Sequence, residues 1–104
     1  MNKYHAKRVT VDNIKFDSMA EAHRYKELKL LLRNNAIERL KCHPPYPIVV
    51  AGEHIATYYA DFQYWDIERG IEVIEDVKGV KTEVYKLKKK LVETIYAISI
   101  TEIA

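Results

Sequence analysis

Hydrophobic and polar positions alternate in two registers along this chain, one with the period of a strand and one with the period of a helix. Arg8-Val9-Thr10-Val11 and Ile14-Lys15-Phe16 flank Asp12-Asn13, a pair that tolerates the positive φ of a tight turn, so a short hairpin is expected at the start. Ser18-Met19-Ala20-Glu21 has the spacing of a capping box and is followed by good helix formers, which predicts a helix over residues 18 to 35 ending at Asn34-Asn35. The prolines of His43-Pro44-Pro45-Tyr46-Pro47 exclude a central strand there, because proline donates no ladder hydrogen bond, but Ile48-Val49-Val50 can begin one. Ala51-Gly52-Glu53-His54 reads as a turn. Residues 55 to 67 are rich in Tyr, Ile, Phe and Trp, and residues 71 to 77 alternate; with Glu68-Arg69-Gly70 between them they read as the central strands. Thr82 is a candidate N-cap for a lysine-rich helix over 83 to 96, and a last strand follows over 97 to 103. From Ser18 onward the order is helix, three strands, helix, strand.

Composition narrows this picture. The chain has 104 residues and 48% of them are apolar, enough for one domain with one core and no staples. Cys42 is the only cysteine, so an intrachain disulfide is excluded and a reducing compartment fits. No stretch approaches the ~20 apolar residues of a membrane span, and MNKYHAKR does not lead into a signal peptide. A soluble, unprocessed, cytoplasmic protein is the expectation. The formal charge of +2 announces no polyanion partner by itself, but its distribution does more. Six lysines between Lys78 and Lys90 face the single acid Glu83, and Lys3, Lys7 and Arg8 form a second basic cluster.

The chemistry-bearing residues sit on the central strands. Asp76 and Lys78 project to one face of a strand, about 6.5 Å apart. A two-residue loop at Glu68-Arg69 pairs Ile67 with Gly70 and therefore sets Asp61 opposite Asp76, whereas a four-residue loop sets Asp61 opposite Lys78; only an odd-length loop separates the faces. Opposed residues have Cβ atoms about 4.5–5.5 Å apart, close enough for two carboxylates to share a hard cation such as Mg²⁺. Such an ion keeps positions for a phosphate oxygen and an attacking hydroxide, and Lys78 beside it could orient the nucleophile or stabilise charge on phosphate. The competing reading is a cross-strand salt-bridge cluster on a solvated face, which the apolar setting of both strands and the element order disfavour.

Other positions stay open between two roles. Glu21 can cap its helix or, falling on the arc of Tyr25, Leu28, Leu31 and Leu32, join a metal site. In the second helix Val84, Leu87, Leu91 and Ile95 form the main apolar stripe, and Tyr85, Val92 and Tyr96 a second. Lys88 between them either snorkels or lies near a scissile phosphate. Lys86, Lys89 and Lys90 on the opposite arc suit phosphate contacts or a solvated face. His5, His23, His43 and His54 are scattered without metal-ligand spacing, which argues against zinc, and Gly52, Gly70 and Gly79 make no phosphate loop, so no nucleotide cofactor is expected.

These residues resemble a known superfamily, the PD-(D/E)XK nucleases. Ala60-Asp61 stands for its first half-motif, with alanine in place of the naming proline, and Asp76-Val77-Lys78 for its second. Tyr59-Ala60-Asp61-Phe62, Glu75-Asp76-Val77-Lys78-Gly79, Val80-Lys81-Thr82 and Tyr85-Lys86-Leu87-Lys88 resemble more closely a family of short bacteriophage proteins of unknown function related to Holliday-junction resolvases. The likeness covers about residues 18 to 103, with 1 to 17 as an extension. It implies an α/β, restriction-endonuclease-like αβββαβ core with a mixed sheet flanked by helices, behind an N-terminal hairpin. It also implies Mg²⁺-dependent DNA cleavage, with Mn²⁺ able to substitute. Asp61, Asp76, Glu21 and the Val77 backbone carbonyl would hold the metal, Lys78 and Lys88 assist, and Lys81, Lys86, Lys89 and Lys90 contact DNA. The expected task is cleavage of branched or recombining DNA as a homodimer in a bacterial host's cytoplasm. Nicking or end-processing by the same fold, and a non-catalytic DNA-binding module, are the alternatives.

Overall fold

The computed structural model describes residues 8–104, so Lys3 and Lys7 of the amino-terminal basic cluster lie outside the described residues. Strands β1 (Val9–Val11) and β2 (Ile14–Phe16) form the expected hairpin. Its turn residues Asp12 and Asn13 have φ of 52° and 64°, the positive values that hairpin twist demands. Helix α1 (Met19–Arg33) starts at Ser18, whose hydroxyl accepts the Glu21 N–H at 3.1 Å. Six strands and a second helix complete the described chain: β3 (Ile37–Cys42), β4 (Pro45–Val50), β5 (Glu53–Tyr59), β6 (Phe62–Asp66), β7 (Ile71–Val77), α2 (Glu83–Tyr96) and β8 (Ile100–Ile103).

The main sheet is mixed and runs β3-β6-β7-β8, antiparallel except for the β7–β8 pair, which is parallel because α2 carries the chain across one face. Alternation along β7 divides the core. Val73 packs with Tyr25 and Leu28 of α1, while Ile74 on the opposite face packs with Tyr85 and Val92 of α2. Each helix thus covers one side of the sheet.

The path from β3 to β6 differs from the sequence expectation. Residues 55 to 67 are two strands, not one, and Ile48-Val49-Val50 belongs to β4, outside the main sheet. Pairing is nevertheless continuous: Ile37 faces Asp66, Cys42 faces Phe62, Pro45 faces Tyr59, and Val50 faces Glu53. A single long hairpin leaves the sheet at an elbow, where the His43 N–H donates to the Asp61 carbonyl at 2.9 Å and the Ala60 N–H to the Pro44 carbonyl at 3.2 Å. Beyond the elbow β4 and β5 form a ribbon against α2, tied by the Tyr96 hydroxyl donating to the Pro47 carbonyl at 2.8 Å. The prolines lie in this outer ribbon, where no further strand needs their missing donors. Its turn is shorter than expected, Ala51-Gly52 alone, with φ of 50° and 80°.

Three more expectations are corrected. β3 was not foreseen because its apolar residues, Ile37, Leu40 and Cys42, do not alternate; the register shifts between Glu38 and Lys41, and Arg39 at φ 56° is the extra residue of a bulge. The last strand begins at Ile100 rather than Ala97, since Ala97 is the left-handed cap of α2. In α2 the buried residues are Tyr85 and Val92, whereas Val84, Leu87 and Ile95 of the longer stripe stay exposed. Tyr85 is buried with its hydroxyl donating to Glu102, Leu91 of the longer stripe also packs against the core, and Tyr96 of the narrow stripe is exposed.

The core also holds a charge. Glu75 of β7 is 1% exposed, faces α1, and accepts two hydrogen bonds from Arg24, at 2.8 and 2.6 Å, and one from the Tyr64 hydroxyl at 2.5 Å. A buried carboxylate stripped of its cation is costly, so Arg24→Ala is expected to reduce unfolding free energy by about 3–5 kcal/mol. Urea denaturation measures this. Replacing both partners, as Arg24→Met with Glu75→Leu, should recover most of the loss.

Candidate metal and active site

The elbow brings four elements to one end of the sheet. Asp61 sits at its inner side, immediately before β6. The β6–β7 register, with Phe62 opposite Glu75 and Asp66 opposite Ile71, places Asp61 across from Asp76. This is the pairing expected for a two-residue loop, although the connection itself spans the four residues 67 to 70. Asp61 is 8% exposed and its Oδ2 accepts the Val77 N–H at 2.6 Å. The Val77 N–H thereby fixes the Asp61 carboxylate.

Asp76 is 1% exposed. Its Oδ2 accepts a hydrogen bond from the Tyr58 hydroxyl, while its Oδ1 is buried with no hydrogen-bond partner. Lys78 Nζ stands 3.3 Å from that Oδ1 as an ion pair without hydrogen-bond alignment, and 4.8 Å from the centre of the Tyr85 ring. Burial, then the bond to Asp76, raises the pKa of the Tyr58 hydroxyl and keeps it a donor.

Glu21 reaches the same place from the first turn of α1. Its Oε2 accepts from the Ser18 hydroxyl at 3.3 Å, and its Oε1 is 4.0 Å from His43 Nε2. The helix cap is thus the Ser18 hydroxyl, and the Glu21 carboxylate bonds that hydroxyl while facing Asp61. One ligand atom each from Glu21, His43 and Asp61 lie within 4.8 Å of one another, a grouping able to hold a metal ion. Sequence reasoning set His43 aside, and its spacing carried no signal, because the elbow alone brings it to Glu21 and Asp61. The other described histidines are elsewhere; His23 is exposed, and His54 bonds Thr57 at 2.9 Å.

Burial, then the charges of Glu21 and Asp76, push the Asp61 pKa up to about 8, against the pull of the Val77 N–H. Glu21 is raised as well, first by burial and then by Asp17. Crowded, desolvated carboxylates and an orphaned Asp76 oxygen are what a divalent cation would neutralise, so the residues present fit a metal.

Lys88 half-lines an open groove of about 300 Å³ together with Lys78, Tyr58, Tyr59 and Tyr85. Of the other expected DNA contacts, Lys81 just before α2 and Lys89 on it pair with Glu102 at 3.1 and 3.6 Å, and Lys86 pairs with Glu83 at 3.3 Å. Lys90 is exposed. Arg8 stands 3.9 Å from Asp17.

Fold and site together define a mixed α/β chain whose sheet ends in a cluster of buried acids beside a lysine. It belongs to the family described as "Protein of unknown function (DUF1064)", which matches residues 1–102. Comparisons with curated proteins and with solved structures each found no match. Among the described residues no helix is long and apolar enough to cross a membrane.

The raised Asp61 pKa has a sign that can be measured. Its folded value lies above the 3.8 of an unperturbed aspartate, so between the two the unfolded chain releases a proton that the folded chain keeps. Metal-free protein should therefore lose stability as pH rises from about 4 to about 8, and metal affinity should rise over the same window as that proton is displaced. Thermal melts at about pH 5.5 and about pH 8, with and without divalent ion, test this; Asp61→Asn should remove that component of the slope.

Proposed function

We propose that the chain is a metal-dependent DNA endonuclease of the PD-(D/E)XK type, hydrolysing phosphodiester bonds in branched or recombining DNA. The observation that carries the reading is the meeting of Asp61, Asp76 and Lys78 at one sheet end, across adjacent strands, with Glu21 from the helix behind them. The order of the main-sheet elements, α1-β3-β6-β7-α2-β8, agrees with it once the outer ribbon is set aside.

Mg²⁺ held by the acids would polarise the scissile phosphate and lower the pKa of an attacking water. The chain's own contributions follow from geometry. Val77 N–H and Tyr58 hydroxyl hold the two carboxylates in fixed orientations. Lys78, anchored between Asp76 and the Tyr85 ring, offers a fixed ammonium to the nucleophile or to the charge growing on the phosphate. Lys88 on the groove wall suits the neighbouring phosphate. A homodimer in the bacterial cytoplasm belongs to the same proposal, since one chain carries one such cluster and paired cuts need two. The exposed Val84, Leu87 and Ile95 row on α2 offers apolar surface for a second copy.

The deciding assay incubates end-labelled duplex, flap, single-stranded and four-way-junction DNA with the protein and Mg²⁺, Mn²⁺ or EDTA. Metal-dependent cuts ranked by substrate support the reading; cuts confined to duplex or ends make it a nicking or end-processing nuclease. Binding without cleavage makes it a DNA-binding module. Asp61→Asn and Asp76→Asn should each keep fold and DNA binding and lower cleavage by at least about 10³-fold, and Lys78→Ala should lose activity while retaining metal affinity. Wild-type rates in either Asn variant would dismiss the site.

The lysine row gives a separate expectation. Changing Lys86, Lys89 and Lys90 together to Gln should weaken binding to every DNA shape alike, lowering the salt slope by up to ~0.9 per lost contact on duplex. Titration in Ca²⁺ separates binding from cleavage, and an unchanged slope removes this face of α2 from the interface.

A further inference from the structure

The acids of the site do not stand alone, and the group that accompanies them is an imidazole. His43 occupies the elbow opposite Asp61, and its backbone N–H bonds the Asp61 carbonyl, so ring and carboxylate hang from one rigid junction. Phe16 packs against the ring with centroids 5.6 Å apart, limiting its rotation. Nε2 points to Glu21 at 4.0 Å, and the three ligand atoms lie within 4.8 Å of one another. That spacing suits ligands around a common centre rather than a tight ion pair. A second open groove of about 340 Å³, lined by Lys15, Asp17, His43 and Tyr59, reaches the imidazole from solvent and gives an ion access. Behind Asp61 lies the buried Asp76 oxygen that no hydrogen bond satisfies.

We propose that His43 is a metal ligand, so that Glu21, His43 and Asp61 form a mixed nitrogen–oxygen site preferring a first-row transition ion of the Mn²⁺ class over Mg²⁺. Mg²⁺ demands near-ideal oxygen octahedra, whereas imidazole suits transition ions, and Mn²⁺ accepts carboxylates and waters beside it. The inference rests on the proposed function only in so far as that reading puts a cation at Asp61; it does not require DNA cleavage.

The test uses the whole protein without DNA. Mn²⁺ binding is followed by loss of the free-ion electron paramagnetic resonance signal, Mg²⁺ by competition, and the ligand by pulsed resonance, which detects coupling to a directly bound ¹⁴N. His43→Asn is the first variant, because asparagine tolerates the left-handed φ of 54° found here; His43→Ala is the second, and thermal melts check that both fold. Wild type should bind Mn²⁺ at least about tenfold more tightly than Mg²⁺ and show nitrogen coupling. Both variants should lose the coupling and about tenfold or more in Mn²⁺ affinity, with Mg²⁺ affinity nearly unchanged. Mn²⁺ bound without nitrogen coupling, or variants with wild-type Mn²⁺ affinity, would overturn the proposal. The two readings fail separately. Cleavage without nitrogen coupling sinks His43 and spares the nuclease, nitrogen-coupled Mn²⁺ without cleavage does the reverse, and no bound cation sinks both.

Discussion

Burying a carboxylate is tolerable only when something answers its charge, and two adjacent residues of β7 obey that constraint differently. Glu75 and Asp76 are each 1% exposed and point to opposite faces of the sheet. Glu75 is fully answered: Arg24 clamps it with two hydrogen bonds and Tyr64 adds a third. Asp76 is answered on one oxygen by Tyr58, while the other meets only a misaligned Lys78 and lies close to a second buried acid. The first arrangement holds the strand to α1 and has no capacity left. The second leaves one oxygen without a hydrogen bond, across the strands from Asp61, which the chain also brings together with Glu21 and His43.

How those residues meet depends on a bend that local pattern does not encode. A strand's alternation tells which residues share a face, and it placed Asp61 with Asp76 correctly because the β6–β7 hairpin is regular. Caps and turns were equally legible, since Ser18, Thr82 and Asp12-Asn13 act through their nearest neighbours. The elbow is another matter. It interrupts an apolar, aromatic run with no glycine and no proline on the Asp61 side, and its cause lies across the hairpin, where His43 adopts a φ of 54° and Pro45 begins the ribbon. A local bulge hid β3 by breaking its alternation, whereas in α2 the buried face is set by contacts distant in sequence, with Tyr85 on Glu102 and Val92 against the sheet while Val84, Leu87 and Ile95 stay exposed.

Charge along the chain was likewise easy to count and hard to place. The lysine run after Asp76 looked uniform in sequence, yet Glu102 at the far end of β8 draws Lys81 and Lys89 to itself and accepts the Tyr85 hydroxyl as well. These ties orient part of the run toward the β8 edge and reduce its availability to an external anion; Lys78 and Lys88 instead line the groove beside the acids. A surface ion pair of this sort contributes little to stability, so its main effect is on where positive charge is presented.

The bend also explains why the site can be both rigid and open. Inside the main sheet, Asp61 would be flanked by strands and its carboxylate would have no path to solvent. At the elbow the strand separates from β3 for only a residue or two, and the two backbone bonds between 43–44 and 60–61 keep the separation small. Grooves form on both sides, sharing Tyr59 at their common wall: one leads to Lys78 and Lys88, the other to His43. The carboxylates of Asp61 and Asp76 stay buried, while Tyr58 and Lys78, which hold Asp76, line the groove on one side and His43 lines the groove on the other. The division follows from where a single hairpin bends, since His43 and Tyr59 lie beside the elbow on opposite arms of it.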